Sequence, residues 1–446
     1  MATVHSPHWR AELDTTVRTY GGREVQPPGG VWYRATAMLT RLHVKGFRLL
    51  RDVDIEFPSG VPLVLIGPNA AGKSTVLEVL DFLSSAVRDG LSEAVNRDRG
   101  GFDLIRSAGF REPLEIEVAF TVGADVPAPF GDSAFEYQAH IDGAIGGGYR
   151  LVHEHVVQMP FGNPASRDVL LQMASQGGRA FNVTTGQSDE IHQEAWVEPI
   201  LRLVRHDTFY PYLSLVTRVL AGIRIYPGFY VLPQWARDAR ETIHGPRDAA
   251  VVGPTAGLDR RGFELVKVLY DLQTNHEPEW AELLAAFRAE YPTVKKIEFP
   301  ADAGGGRIAL AVRDERFGRL TAWQMSEGMV AFLSLLAATL TPTPPAAIAF
   351  DEPDAHFHPS LIKRLAWLLE RAAERTTVVV ATHSDRLLDH LSDPAASVKT
   401  VEAGPNGTVL RSLDPEALRA WRERYSLSDL RARGQIDAAN TDAGKR

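Results

Sequence analysis

Residues Gly67-Pro68-Asn69-Ala70-Ala71-Gly72-Lys73-Ser74-Thr75 place two glycines, a lysine and two hydroxyls at the spacing of a phosphate cradle. Backbone N–H groups of such a loop close around phosphate oxygens, and a following helix adds partial positive charge. Lys73 is expected to reach the terminal phosphates, and the Ser74 hydroxyl to ligate Mg²⁺. A glycine turn that binds nothing is the plain alternative. A second cluster, Asp351-Glu352, ends the apolar run 346–350. Asp351 is expected to hold the Mg²⁺ hydration shell, and Glu352 to act as general base on water. Acidic pairs at strand ends also serve as turns or caps, so the phosphate loop is what gives this pair meaning. His383 follows a third apolar run, 377–381, where an imidazole can hydrogen-bond a γ-phosphate.

These groups need elements that position them. The run 61–66 is a short buried strand, and 74–86 spaces its apolar residues as a helix does. Strand, loop and helix in that order is the context the motif requires. One helix, 360–373, separates Glu352 from His383, as a strand–helix–strand step would. Between these halves Ser326-Glu327-Gly328 opens the apolar segment 330–340. Ser and Gly at a helix start form an anion site, and they equally form an ordinary capped start. Alternating strands are expected at 39–44, 50–57 and 114–120, and helices at 263–272 and 280–291. Residues 1–37 read as a loose extension and 125–290 as an inserted lobe.

Composition narrows the class. The chain has 446 residues, more than one usual core. It has no cysteine, which excludes disulfides and thiolate metal sites and fits a reducing compartment. No apolar run resembles a secretory signal or a bilayer span, so a cytoplasmic protein is expected. Net charge is −8, so nucleic-acid contact would need a local patch. Residues 201–261 hold nine Arg against five acids, and Arg237 to Arg261 is the candidate surface for DNA or a partner. The nearby aromatics, Tyr210, Tyr212, Tyr226, Phe229, Tyr230 and Trp235, read as core before they read as base-stacking platforms. The spacing of Asp354, His356 and His358 also invites zinc, but no third nitrogen or thiolate ligand stands nearby.

The phosphate loop, Ser326-Glu327-Gly328, Asp351-Glu352-Pro353 with His358-Pro359, and Thr382-His383-Ser384 occur in that order. In this the chain resembles the ABC-type ATPases of the structural-maintenance-of-chromosomes (SMC) and RecF class. It is most similar to the compact bacterial AAA ATPases that share the RecF and OLD-nuclease head. The segments LTRLHVKGFRLLRDVDIEF and FELVKVLYDL resemble stretches of that group too. The resemblance implies an α/β P-loop NTPase: an ABC/SMC-type head of mixed sheet with helices on both faces and an inserted helical/β lobe. The head would comprise 38–124 and 291–414, the lobe 125–290, and a helical tail 415–446. It further implies ATP and Mg²⁺ as ligands, hydrolysis of ATP, and a homodimer closed by two nucleotides. In that dimer the Lys73 loop of one copy faces Ser326 and Gly328 of the other. Glu327 departs from the transporter-type signature, and no convincing Q-loop glutamine follows 114–120, Gln138 being the nearest.

Between Thr75 and Ser326 lie 250 residues without a heptad run, which argues against a long-armed chromosome tether. After His383 only 63 residues remain, so a nuclease or toxin is expected on a separate polypeptide. The leading expectation is an ATP-driven dimerising switch in DNA repair or anti-phage defence. A transporter ATPase subunit and a low-turnover nucleotide-binding scaffold are the alternatives. Glu352 speaks against the scaffold, and the missing glutamine against the transporter.

Overall fold

A computed structural model describes residues 4–5, 37–416 and 418, except 124–131, 145–147, 161–166, 175–176, 193–196, 205, 230, 233–244, 256, 302–305 and 356. Its centre is a six-stranded sheet in the order β11 (Arg224–Tyr226), β17 (Ala347–Asp351), β18 (Thr377–Thr382), β4 (Leu63–Ile66), β19 (Val398–Gly404), β20 (Gly407–Ser412). The first five run parallel, and β20 returns antiparallel along β19. β4 and β18 are buried along their whole length, as parallel strands covered on both faces must be. Strand alternation then sorts their side chains between two cores. Leu63, Leu65, Ala347, Ala349, Val379 and Ala381 face one; Val64, Ile66, Ile348, Phe350, Val378 and Val380 face the other.

The first core is closed by a nine-stranded antiparallel sheet, ordered β1 (Val4–His5), β10 (Gln187–Ile191), β9 (Gly177–Asn182), β8 (Asp168–Ala174), β7 (Gly148–Pro160), β6 (Ser133–Ala144), β5 (Leu114–Val122), β2 (Ala37–Phe47), β3 (Leu50–Glu56). Helix α1 (Lys73–Arg88) lies between the two sheets, with α2 (Phe102–Ile105), α3 (Ile200–Leu203) and α4 (Pro211–Gly222) beside it. The second core is covered by α5 (Leu265–Asn275), α6 (Glu277–Glu290), α7 (Glu327–Thr339), α8 (Ile362–Ala373), α9 (Asp385–Asp389) and α10 (Pro394–Ser397). Two small sheets finish that side: β12 (Ala250–Val251) with β14 (Arg307–Ile308), and β13 (Val294–Glu298), β15 (Ala311–Asp314) and β16 (Gly318–Thr321). Among the described residues no helix is long and apolar enough to cross a membrane.

The expected lobe at 125–290 is not a body of its own. Its strands β6 to β10 continue the sheet of β5, because Phe135, Tyr137, Ala139 and Ile141 alternate in register with Leu114 to Phe120. Its remainder is divided between the layers: α4 packs on α1, β11 pairs with β17, and α5 and α6 back α7. The polar stretch 274–278 is mostly helical as well, since Pro278 sits in the first turn of α6, where its missing N–H costs nothing. Gln138, the nearest glutamine, sits mid-strand in β6 opposite Glu117 and His155. Of the loose extension, Val4–His5 edge the large sheet, and 6–36 lie outside the described residues, as does nearly all of the tail 415–446.

One buried acid ties the large sheet to the helices. Glu154 of β7 accepts from the N–H groups of Ile200 (2.5 Å) and Leu201 (3.2 Å) at the start of α3, and from the Tyr137 hydroxyl (3.2 Å). Burial pushes its carboxyl up to about 7, against the pull of those donors. A raised acid pKa means that the folded chain holds a proton the unfolded chain has lost. Stability from this residue is therefore full below about pH 4.5 and declines as pH rises to about 7, by on the order of 3 kcal/mol. Glu154→Gln removes the titrating proton, gives up one of the two acceptor oxygens, and should flatten that slope. Urea midpoints between pH 4.5 and 8 check this; an unchanged slope refutes it.

Candidate nucleotide site

The phosphate loop leaves β4 at its carboxyl end and enters α1 through Gly72, whose φ of +109° turns the chain into the helix. Ala70 has φ +61°, a conformation costly for a residue with a Cβ and often found at functional sites. Pro68, Asn69 and Ala70 form an exposed rim, whereas Ala71, Gly72 and Lys73 are buried and Thr75 is half-buried. The Lys73 ammonium is folded back on its own loop, donating to the carbonyls of Gly67 (3.0 Å) and Pro68 (3.1 Å). It also lies 3.1 Å from His383 Nε2.

The carboxylates come from the end of β17, which β18 separates from β4. The Ser74 hydroxyl donates to Asp351 Oδ1 at 3.1 Å. Glu352 Oε1 lies 3.2 Å from His383 Nε2. Glu352 itself has φ +50°, and its N–H donates to the Ala381 carbonyl of β18 at 2.8 Å. That left-handed bend at the end of β17 turns Glu352 away from Asp351, so the two acids address different partners. Burial raises the pKa of both; the Ser74 hydroxyl opposes this at Asp351, and the His383 imidazole opposes it at Glu352.

His383 Nε2 thus has two suitors of opposite demand. An ammonium can only donate, so the Lys73 contact needs a lone pair on Nε2. A carboxylate only accepts, so the Glu352 contact needs a proton there. One nitrogen cannot satisfy both at once, and any movement of Lys73 decides which contact His383 makes. Around it, Thr382 Oγ1 donates to Asp354 Oδ1 (2.8 Å) and accepts from the Ser384 N–H (2.9 Å), which fixes the chain on both sides of the histidine.

Ser326 and Gly328 are not part of this hydrogen-bonded group. They open α7, where the exposed Ser326 is the N-cap and its hydroxyl accepts from the Met329 N–H at 3.2 Å. His358 caps the turn Pro359–Leu361, its Nδ1 3.0 Å from the Ser360 hydroxyl. His356 lies outside the described residues, among which no group of three metal-ligating side chains occurs.

The structure describes only part of the Arg patch. Arg247 is buried, Arg218 pairs with Asp207 (3.1 Å), and Arg260 approaches Asp81 (3.6 Å). Arg205, Arg237 and Arg240 lie outside the described residues, as do Tyr230 and Trp235. Tyr210, Tyr212 and Tyr226 are core residues.

Sequence reading overlooked the hairpin β19–β20, which braces the loop from behind. Thr408 Oγ1 donates to the Ala71 carbonyl at 2.9 Å, and its N–H donates to the Leu49 carbonyl at 2.9 Å. A Cβ on Gly72 would lie 2.2 Å from Thr408 Oγ1, and one on Gly67 would lie 2.0 Å from the Val401 carbonyl oxygen. The turn residues Pro405-Asn406, flanked by Gly404 and Gly407, were the available signal for this hairpin.

The site can take a nucleotide polyphosphate. A buried ammonium, a helix start and the loop's positive-φ residues suit phosphate, and the adjoining Ser74 and Asp351 oxygens are hard ligands that suit Mg²⁺. Two family profiles match in agreement with that: "AAA ATPase domain" over residues 38–193, and "AAA domain, putative AbiEii toxin, Type IV TA system" over residues 268–389. Those two segments are thus similar to AAA ATPase domains. An OLD nuclease of Thermus scotoductus is 39% identical over 84 residues, which span 19% of this chain and 14% of that protein. Solved structures that resemble it include an SMC head bound to the C-terminal winged-helix domain of ScpA (16% identity, TM-score 0.47, covering 85% of this chain and 99% of that one). Another is an SMC head of Pyrococcus furiosus with an extended coiled coil (14% identity, TM-score 0.43, covering 87% and 99%). Both likenesses are distant, and the strand order of the two large sheets defines the fold in their place.

Proposed function

We propose that the chain is an ATP-hydrolysing switch: two copies close head to head on ATP, and the assembly serves DNA repair or anti-phage defence with a nuclease or toxin partner. The observation behind the ATPase reading is the convergence of Lys73, Ser74, Asp351, Glu352 and His383 at the carboxyl ends of β4, β17 and β18. The loop N–H groups and Lys73 hold the phosphates. Lys73 then leaves the Gly67 and Pro68 carbonyls, and His383 Nε2 turns to Glu352 or to a phosphate oxygen. Ser74 and Asp351 would hold Mg²⁺, which neutralises charge on the terminal phosphates. Glu352, its proton affinity raised by burial, accepts the proton of the attacking water. The water oxygen bonds to the γ-phosphorus as the bond to the β-phosphate oxygen breaks, giving ADP and phosphate.

Head-to-head closure is supported by the separate, exposed start of α7, where Ser326 and Gly328 are available to a second copy's nucleotide. The test is the solution mass of Glu352→Gln with and without Mg-ATP, by light scattering after gel filtration. A nucleotide-dependent doubling is expected; a mass indifferent to ATP refutes the closure. The defence reading draws on the AbiEii-type match and on the OLD nuclease likeness.

For DNA, the sheet β13–β15–β16 offers a basic surface among the described residues. Lys296, Arg313 and Arg319 stand side by side on its three strands and all share one carboxylate, Glu298. One acid cannot neutralise three cations. The exposed Phe317 at the hairpin tip, with Arg316 over its ring, adds an aromatic face. The double variant Arg313→Glu/Arg319→Glu should weaken duplex binding about tenfold or more and lower its salt dependence. Anisotropy titrations at two salt concentrations decide this, and equal binding removes the surface.

A further inference from the structure

Arg247, counted by sequence among surface cations, is only 2% exposed. Its guanidinium grips two stretches of backbone. Nε and Nη2 donate to the Val231 carbonyl (3.1 and 3.0 Å), while Nη1 donates to the carbonyls of Ala322 and Met325, the latter at 2.8 Å. Arg247 is presented for this by a tight turn: the Gly245 N–H donates to Asp248 Oδ2 (2.6 Å), and the Asp248 N–H to the Gly245 carbonyl (3.0 Å).

The gripped segment leads straight into the start of α7. Ala322 to Met325 is the whole connection between β16, which ends at Thr321, and Ser326, the N-cap of that helix. The Met325 carbonyl belongs to the peptide that joins Ser326, so fixing it fixes the direction in which that cap is offered. The connection is closed from its exposed side as well. Gln324 Oε1 accepts from the Thr321 N–H and hydroxyl (3.0 Å each), and the N–H groups of Gln324 and Met325 return to the Thr321 carbonyl. A planar fork that holds several carbonyls at once is a task for arginine, and lysine cannot copy it.

The geometry points to Arg247 as a positioning residue for Ser326 and Gly328, one that fixes the start of α7 for a nucleotide held by a second copy of this chain. This rests on the head-to-head reading and adds to it a buried residue that belongs to neither phosphate loop. A merely structural arginine would, when replaced, weaken folding and nucleotide binding together. A positioning arginine would spare ATP binding to the Lys73 loop of the same copy and impair only the association of copies.

The experiment adds Arg247→Lys to the Glu352→Gln chain and measures two quantities: affinity for a fluorescent ATP analogue in dilute monomer, and the protein concentration at half-maximal Mg-ATP-dependent doubling of mass. The expected result is nucleotide affinity within twofold of the parent and an association midpoint raised at least tenfold. Association within twofold of the parent overturns the inference, and so does nucleotide affinity falling in step with association. A parent that never doubles removes the head-to-head reading and the inference with it, which separates the two failures. Should Arg247→Lys not fold, Gln324→Ala loosens the same connection from its exposed side. It is expected to raise the midpoint several-fold, and an unchanged midpoint overturns the inference.

Discussion

Glu352→Gln should release phosphate from ATP about 10²–10⁴-fold more slowly than the natural chain while binding ATP with little change in affinity. The exchange removes one capacity, acceptance of a proton, and leaves volume and shape in place. That economy matters at this position, because Glu352 stands at φ +50° with its N–H tied to the Ala381 carbonyl. The amide keeps that bend and can still hydrogen-bond His383. Phosphate release measured under single turnover, beside equilibrium binding of a labelled nucleotide, separates the effects. Loss of binding together with turnover would mean that Glu352 holds the site together; unimpaired turnover would assign the base elsewhere.

Gly67→Ala should abolish nucleotide binding and lower thermal stability by several degrees. The added methyl would sit 2.0 Å from the Val401 carbonyl oxygen and 3.0 Å from its carbon, both backbone atoms of β19. Neither can rotate away, so the loop must lift or β19 must part from β4, where Thr400 pairs with Ile66. Overpacking of this kind costs about 1–3 kcal/mol, and it falls directly on the first residue of the phosphate loop. Gly253→Ala is the control, since a Cβ there meets nothing within 4 Å. Differential scanning calorimetry and nucleotide titration check both variants. Binding retained by Gly67→Ala would show that the brace yields, and that the hairpin does not set the loop. Gly72 is held by the same hairpin through a different atom. There Thr408→Ala would remove the two nearest obstacles to a Cβ, Oγ1 and Cγ2, and leave the residue's own Cβ at 3.2 Å and the strain of φ +109°.

Some of this was written in local order along the chain. The strand, glycine loop and helix of 61–88 are contiguous, so turn chemistry and apolar period placed them without a neighbour. The runs ending at Asp351 and Thr382 are apolar along their length, which betrays strands buried on both faces. Likewise Ser326 as a cap followed from hydroxyl, acid and glycine before an apolar helix.

Tertiary structure decided what depends on residues far apart in the chain. Register between β5 and β6 drew the expected lobe into one sheet, because strands pair through backbone groups that side-chain pattern does not number. Arg247 looked like solvent-facing charge, since burial of a cation depends on carbonyls contributed by Val231, Ala322 and Met325. The brace of Val401 and Thr408 against Gly67 and Gly72 joins positions more than 300 residues apart, across β4 and β19. Sequence alone determined the phosphate loop, its lysine and the acids beside it, because those depend on local spacing. The packing of distant backbone decided how firmly the loop is held, which nitrogen the lysine meets, and what aims the start of α7.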